Sequence, residues 1–203
     1  MILILNGASS SGKTTLVRAL QQSWPTVLLH LGTDFALQML PQRYVGTAES
    51  AAAGFRFCQT EDQQGALMEV RVGPLGHRLE QGLARCAEVL DADGHDVALD
   101  LVVLDEVSMK AYARALHARR AYFIGLNCDL AALEARELAR ADRFQNLARS
   151  QYRRVHAFRE YYDLELDSTA RGPRDLANDV LGLVARQPAP EGLSRLAEKL
   201  GCI

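Results

Sequence analysis

Residues 7 to 14, Gly7-Ala8-Ser9-Ser10-Ser11-Gly12-Lys13-Thr14, carry the pattern G-x-x-x-x-G-K-[ST]. Its two glycines let the backbone curl until successive N–H groups face one point at the positive end of a helix, and an anion belongs at that point. Lys13 supplies a point charge for the β- and γ-phosphates of a nucleotide, and the Thr14 hydroxyl suits a Mg²⁺ ion bridging them. Thr15 completes the candidate nucleotide contacts, although a structural place in the first helical turn fits it better. A magnesium site also calls for a carboxylate at the end of another strand. Asp100, after Val97-Ala98-Leu99, is the preferred candidate; Asp105, after Leu101-Val102-Val103-Leu104, is the other. A turn or helix-cap role competes for both.

Transfer to an alcohol needs a base or orienting group near the carboxyl ends of the strands, and Asp34 follows Gly32-Thr33 at such a place. The competing reading is a helix N-cap ahead of Phe35, Leu37 and Leu40. Arg136, Arg140 and Arg143 recur at steps of four and three, so a continuing helix would turn three guanidinium groups to one side, where they could close over phosphates. Glu134, Glu137 and Asp142 could instead absorb them in an ordinary salt-bridged helix. His156 reads as a surface or core imidazole, Trp24 as the close of the first helix, and Ser168 to Gly172 as a border of the adenine by position alone.

These groups require a scaffold, and the apolar runs supply one. Ile2 to Leu5, Thr26 to Leu31, a run within Val97 to Leu104, Ala121 to Cys128 and Tyr162 to Leu166 read as strands covered on both faces, separated by helix-period sequence. That alternation predicts an α/β fold: a P-loop NTPase of the nucleotide-kinase type, a three-layer sandwich with five parallel strands between helices. Helices are expected at 15–22, 74–90, 130–141, 146–158 and 173–185. Alternation with period two in Phe55-Arg56-Phe57 and Met68 to Val72 predicts a hairpin-like flap over 41–73, the segment best placed to read the acceptor. The kinase domain then spans 1–186, with a lid at 134–148, and 187–203 form a linker and a short C-terminal helix that could dock or fray.

Composition limits the partners. The chain has 203 residues, 48% of them apolar, and Lys plus Arg number 23 against 25 Asp plus Glu. A net charge of −2 and an aromatic content of 6% argue against a long single-strand groove, although Arg149 to Arg159 could form a local track for a nucleic-acid end. The four cysteines are scattered without a C-x-x-C pair, and no apolar run approaches the roughly 20 residues that span a bilayer. A cytoplasmic protein free of the membrane is the expectation, and a homo-oligomer stays open. A guanine-reading N-K-x-D is absent, so a nucleotide switch is disfavoured against a kinase.

Taken together, Ile-Leu-Asn-Gly-x-Ser-Ser-x-Gly-Lys at the start, Leu-Gly-Thr-Asp at 31–34, Glu-Ala-Arg-Glu-Leu-Ala-Arg-Ala-Asp-Arg at 134–143, Val155-His156 and Tyr162 to Ser168 resemble the chloramphenicol phosphotransferase family over about residues 1–185. The resemblance implies ATP and Mg²⁺ as co-substrates. It also implies phosphoryl transfer to a small-molecule alcohol, chloramphenicol in the name-giving enzyme, and with it antibiotic resistance. It further implies Asp34 as the base, Asp100 near the bound substrates, and Arg136, Arg140 and Arg143 in a lid. The 41–73 segment and the tail after Gln187 depart from the family pattern. A metabolic kinase for a sugar or nucleoside alcohol is therefore the alternative acceptor reading.

Overall fold

Strand β1 (Ile2–Asn6) is buried along its whole length because it runs up the middle of a five-stranded parallel sheet, and its side chains Ile2 to Leu5 alternate between the cores on the two faces. The computed structural model describes residues 1–63, 65–140 and 144–203. The other strands of this sheet are β2 (Leu28–Gly32), β6 (Asp96–Leu101), β7 (Ala121–Asn127) and β8 (Leu164–Asp167), in the order β2-β6-β1-β7-β8. Ile4 lies beside Leu99 on one side and Phe123 on the other, which fixes the register at the centre of the core.

Alternate residues of these strands feed two cores. Leu3, Leu5, Tyr122 and Ile124 pack under α1 (Lys13–Ser23) and α7 (Pro173–Arg186). Ile2, Ile4, Leu99 and Phe123 pack on the other face under α3 (Pro74–Ala92), α4 (Glu106–Leu116) and α8 (Gly192–Lys199). The C-terminal segment therefore docks. Leu193 and Leu196 enter the core, and the Asp163 carboxylate accepts from the Gly192 N–H at 3.0 Å.

Above the carboxyl ends of the strands lies a second, small sheet of β3 (Val45–Gly46), β4 (Phe55–Asp62) and β5 (Gly65–Val72), in which β4 and β5 pair antiparallel from Phe55↔Val72 to Asp62↔Gly65. Gly73 roots this hairpin at a close backbone crossing, since a Cβ there would meet the Ala52 carbonyl at 2.0 Å.

Three helices differ from the sequence reading. Helix α4 was not expected, although Met109, Tyr112 and Leu116 carry its period and Asp105 is its N-cap, accepting from the Ser108 N–H at 2.8 Å. Helix α5 (Leu130–Leu138) stops three residues before the expected end, so Arg140 lies beyond it. Helix α6 (Leu147–Tyr152) is one and a half turns followed by turns, rather than a continuous helix to Phe158. Among the described residues no helix is long and apolar enough to cross a membrane.

Candidate active site

The loop after β1 adopts the curl its glycines allow. Gly12 (φ 94°) and, unusually for a residue with a Cβ, Ser10 (φ 63°) take left-handed backbone conformations. A Cβ on Gly7 would strike the Leu126 carbonyl at 2.6 Å. Helix α1 then begins at Lys13 without a side-chain cap, so its first-turn N–H groups are left for a ligand, and the Ser10 and Ser11 hydroxyls are buried without a partner. Lys13, itself buried, donates to the Ala8 carbonyl at 3.0 Å and stands 3.6 Å from Asp100 Oδ1.

Thr14 Oγ1 donates to Asp100 Oδ2 at 2.6 Å, so the two oxygens read as metal ligands in the sequence are neighbours. Asp105 is spent on capping α4. Burial alone would raise the Asp100 carboxyl, but the Lys13 charge, His30 and the Thr14 hydroxyl outweigh it and hold the group below the usual carboxylate range. His30, which the sequence reading passed over, brings Nε2 to 3.7 Å from Asp100 Oδ2 from the adjacent strand β2.

A cavity of about 410 Å³ opens over this loop, and Ser9, Ser10, Gly12, Lys13, Thr14 and Thr15 all line it. Gly7, Ala8 and Ser11 form the loop behind them. Asp34 and Asp100 share the same cavity, as do Arg136, Arg140, Ser168 and Arg171. Asp34 is not a cap: Gly32 is the N-cap of α2 (Thr33–Gln38), and Asp34 lies exposed inside its first turn. Arg136 crosses from α5 to the loop after β8, donating to the Ser168 carbonyl at 2.6 Å and the Thr169 carbonyl at 3.3 Å. Arg143 lies outside the described residues.

Helix α6 links three parts of the site. The Gln151 side-chain oxygen accepts from the Ser9 N–H of the phosphate loop at 2.7 Å. Ser150 Oγ donates to the Met68 carbonyl of β5 at 2.7 Å, and the Phe57 and Phe144 rings stack with centroids 4.6 Å apart, so the flap is fastened down over the cavity. Glu137, read beforehand as a salt-bridge partner for arginine, is buried and accepts from the Ala148 N–H at 2.8 Å in the first turn of α6. Arg149 pairs with Glu134 and with Asp62 of the flap at 3.7 and 3.8 Å.

The flap and sheet edge give the far end of the cavity an apolar wall of Leu37, Phe55, Phe57, Val70, Val72 and Leu104. Into this wall α3 and α4 project a polar cluster: Ser108 Oγ donates to Glu80 Oε2 at 2.6 Å, and His77 Nδ1 stands 3.3 Å from the same oxygen. Glu80 is buried, and burial pushes its carboxyl up against the opposing pull of Ser108 and His77. The sequence signal for Glu80 was its place among Gly76, Ala84 and Ala87, small residues that turn one face of α3 inward. Gln151 left no comparable signal. His156 and Trp24 lie outside the cavity lining; the Trp24 indole donates to Asp96 and the His156 ring meets the Tyr162 hydroxyl at 2.8 Å.

Comparisons with known proteins bear on the fold and the family. In Mycobacterium tuberculosis, strains CDC 1551 and H37Rv, a relative provisionally named an O-phosphotransferase is 27% identical over 199 residues, covering 98% of this chain and 88% of the relative. A sugar kinase from Janibacter sp. HTCC2649 superposes with a TM-score of 0.65 at 18% identity, over 93% of this chain and 96% of that one. The APS kinase of Mycobacterium tuberculosis, solved with AMPPNP and APS, gives 0.60 at 17%, over 91% and 96%. These superpositions show the fold of the P-loop kinases. The family model described as chloramphenicol phosphotransferase-like protein matches residues 1–185. With that match spanning nearly the whole chain, the protein belongs to the chloramphenicol phosphotransferase-like family and is a phosphotransferase.

Proposed function

We propose that this phosphotransferase moves the γ-phosphate of ATP to a hydroxyl of a small-molecule alcohol, with chloramphenicol-like acceptors as the first class to test. The observation that carries this reading is a single cavity lined by the phosphate loop with Thr14 and Asp100 and also by the apolar side chains Leu37, Phe55, Phe57, Val70, Val72 and Leu104. The loop amides and Lys13 hold the triphosphate, and the lid arginines Arg136 and Arg140 neutralise charge on the phosphoryl group in transit. Arg143 joins them in this proposal.

Thr14 and Asp100 would hold Mg²⁺ as two hard oxygen donors side by side, with phosphates and water completing the shell. Among the described residues no group of three or more His, Cys, Asp or Glu could hold a metal ion. When bound, the ion offsets the charge developing between the β- and γ-phosphates.

Asp34 takes the acceptor proton as the hydroxyl oxygen bonds to γ-phosphorus and the bond to the β–γ bridging oxygen breaks, leaving ADP. Lys13→Ala and Asp34→Asn each reduce transfer by at least about 100-fold, and only the first weakens ATP binding. The test is labelled-phosphate transfer from ATP to a panel of chloramphenicol, sugars, nucleosides and oligonucleotide ends, with ATP affinity followed by calorimetry. Loss of ATP affinity in the Asp34 variant would remove it from the acceptor side. A nucleic-acid-end acceptor is the weaker reading, because Arg149 and Arg159 of the basic segment are engaged by Asp62, Glu134 and Glu165.

A further inference from the structure

His30 is a largely buried polar side chain that the phosphate-loop chemistry leaves without a task. It comes from the middle of β2 and stands behind Asp100, outside the cavity lining. Its Nε2 is buried with no hydrogen-bond partner among the described residues, and Asp100 Oδ2, at 3.7 Å, lies just beyond hydrogen-bond reach. The surroundings aim the ring at that oxygen. Gly32, the neighbour of Asp100 in the ladder, has no side chain to come between them: a Cβ there would lie 3.2 Å from Asp100 Cβ and 3.6 Å from His30 Nε2. The Phe35 ring of α2 meets the imidazole edge-on, with centroids 5.4 Å apart, and sets its plane. A buried donor is costly to leave unpaired, and a carboxylate oxygen that already accepts from Thr14 has a lone pair to spare. Metal-ligating carboxylates are themselves held by hydrogen bonds from behind, and those outer partners govern how tightly the metal binds.

We propose that His30 is a positioning residue for the metal site: its Nε2–H donates to Asp100 Oδ2 and, with the Thr14 hydroxyl, holds the carboxylate in the one orientation that receives Mg²⁺. It acts through Asp100 and needs no contact with nucleotide or metal. This rests on the kinase reading above and on Asp100 as the metal carboxylate.

The probe is Mn²⁺, which shares the oxygen preference of Mg²⁺ and is counted by its electron paramagnetic resonance signal, added to the 203-residue chain saturated with AMPPNP so that nothing turns over. Glutamine places an amide N–H where Nε2 lies, whereas asparagine places one where Nδ1 lies. His30→Gln binds Mn²⁺ within about 3-fold of the wild-type protein, and His30→Asn and His30→Leu bind it about 10- to 100-fold more weakly, all with unchanged affinity for metal-free AMPPNP. In an Asp100→Ala background, which removes the acceptor, the same substitutions change Mn²⁺ affinity by less than about 2-fold. The glutamine and asparagine pair carries the test if the leucine or alanine variant fails to fold. Equal Mn²⁺ affinity in all the His30 variants, equal losses in His30→Gln and His30→Asn, or an undiminished effect without Asp100 would overturn the assignment of His30 while the wild-type protein still bound AMPPNP. Failure of the wild-type protein to bind AMPPNP at all would overturn the kinase reading, and this assignment with it.

Discussion

Asp100 illustrates how a short list of side chains sets the chemistry of the loop. Its carboxylate receives the Thr14 hydroxyl at 2.6 Å and faces Lys13 at 3.6 Å, and these neighbours keep it ionised against the cost of burial. A carboxyl whose folded pKa is depressed adds stability above its unfolded value of about 3.9 and loses it as pH falls through the folded value. Asp100→Asn is therefore less stable than the parent at pH 7, and the difference narrows as pH falls below the unfolded carboxyl value, as read by urea denaturation without nucleotide. The residues of the phosphate loop were legible in sequence because their order along the chain is also their order in space. Glu80, Ser108 and Gln151 were not, because each acquires its meaning from a partner that is remote in sequence; spacing marks Glu80 as inward-facing on α3 but does not record the pairing.

The strands of the main sheet could be read from apolar runs alone, since double-sided burial leaves an unmistakable composition. Helices α5 and α6 could not be bounded in the same way. Glu137 turns its carboxylate to the first turn of α6, so the end of one helix and the start of the next are set by a tertiary hydrogen bond rather than by local preference. Asp105 shows the reverse case: the cap role weighed for it against a metal role is the one it takes, in a pattern local enough to be visible in sequence. Within α6, Gln151→Ala leaves the Ser9 N–H without its acceptor inside a buried site. A loss of roughly 1–3 kcal/mol of folding stability follows, with a raised KM for ATP. Chemical denaturation and initial rates at varied ATP measure the two effects separately.

Across the whole molecule, the five-stranded sheet and its two helix layers form the core, and the hairpin walls the cavity above them. Helix α8 belongs to this core: Leu193 and Leu196 each contribute roughly 1.5–3 kcal/mol on burial, so removing residues 188–203 costs about 3–6 kcal/mol and shows as a lowered denaturation midpoint. The attachment of α6 at both ends has a different implication. One short helix grips the roof through Ser150 and the nucleotide cradle through Gln151. We expect the two ends of the cavity to be coupled through this helix; thermodynamic reciprocity then makes the factor by which ATP changes acceptor affinity equal to the factor by which the acceptor changes ATP affinity, two numbers that calorimetry can compare.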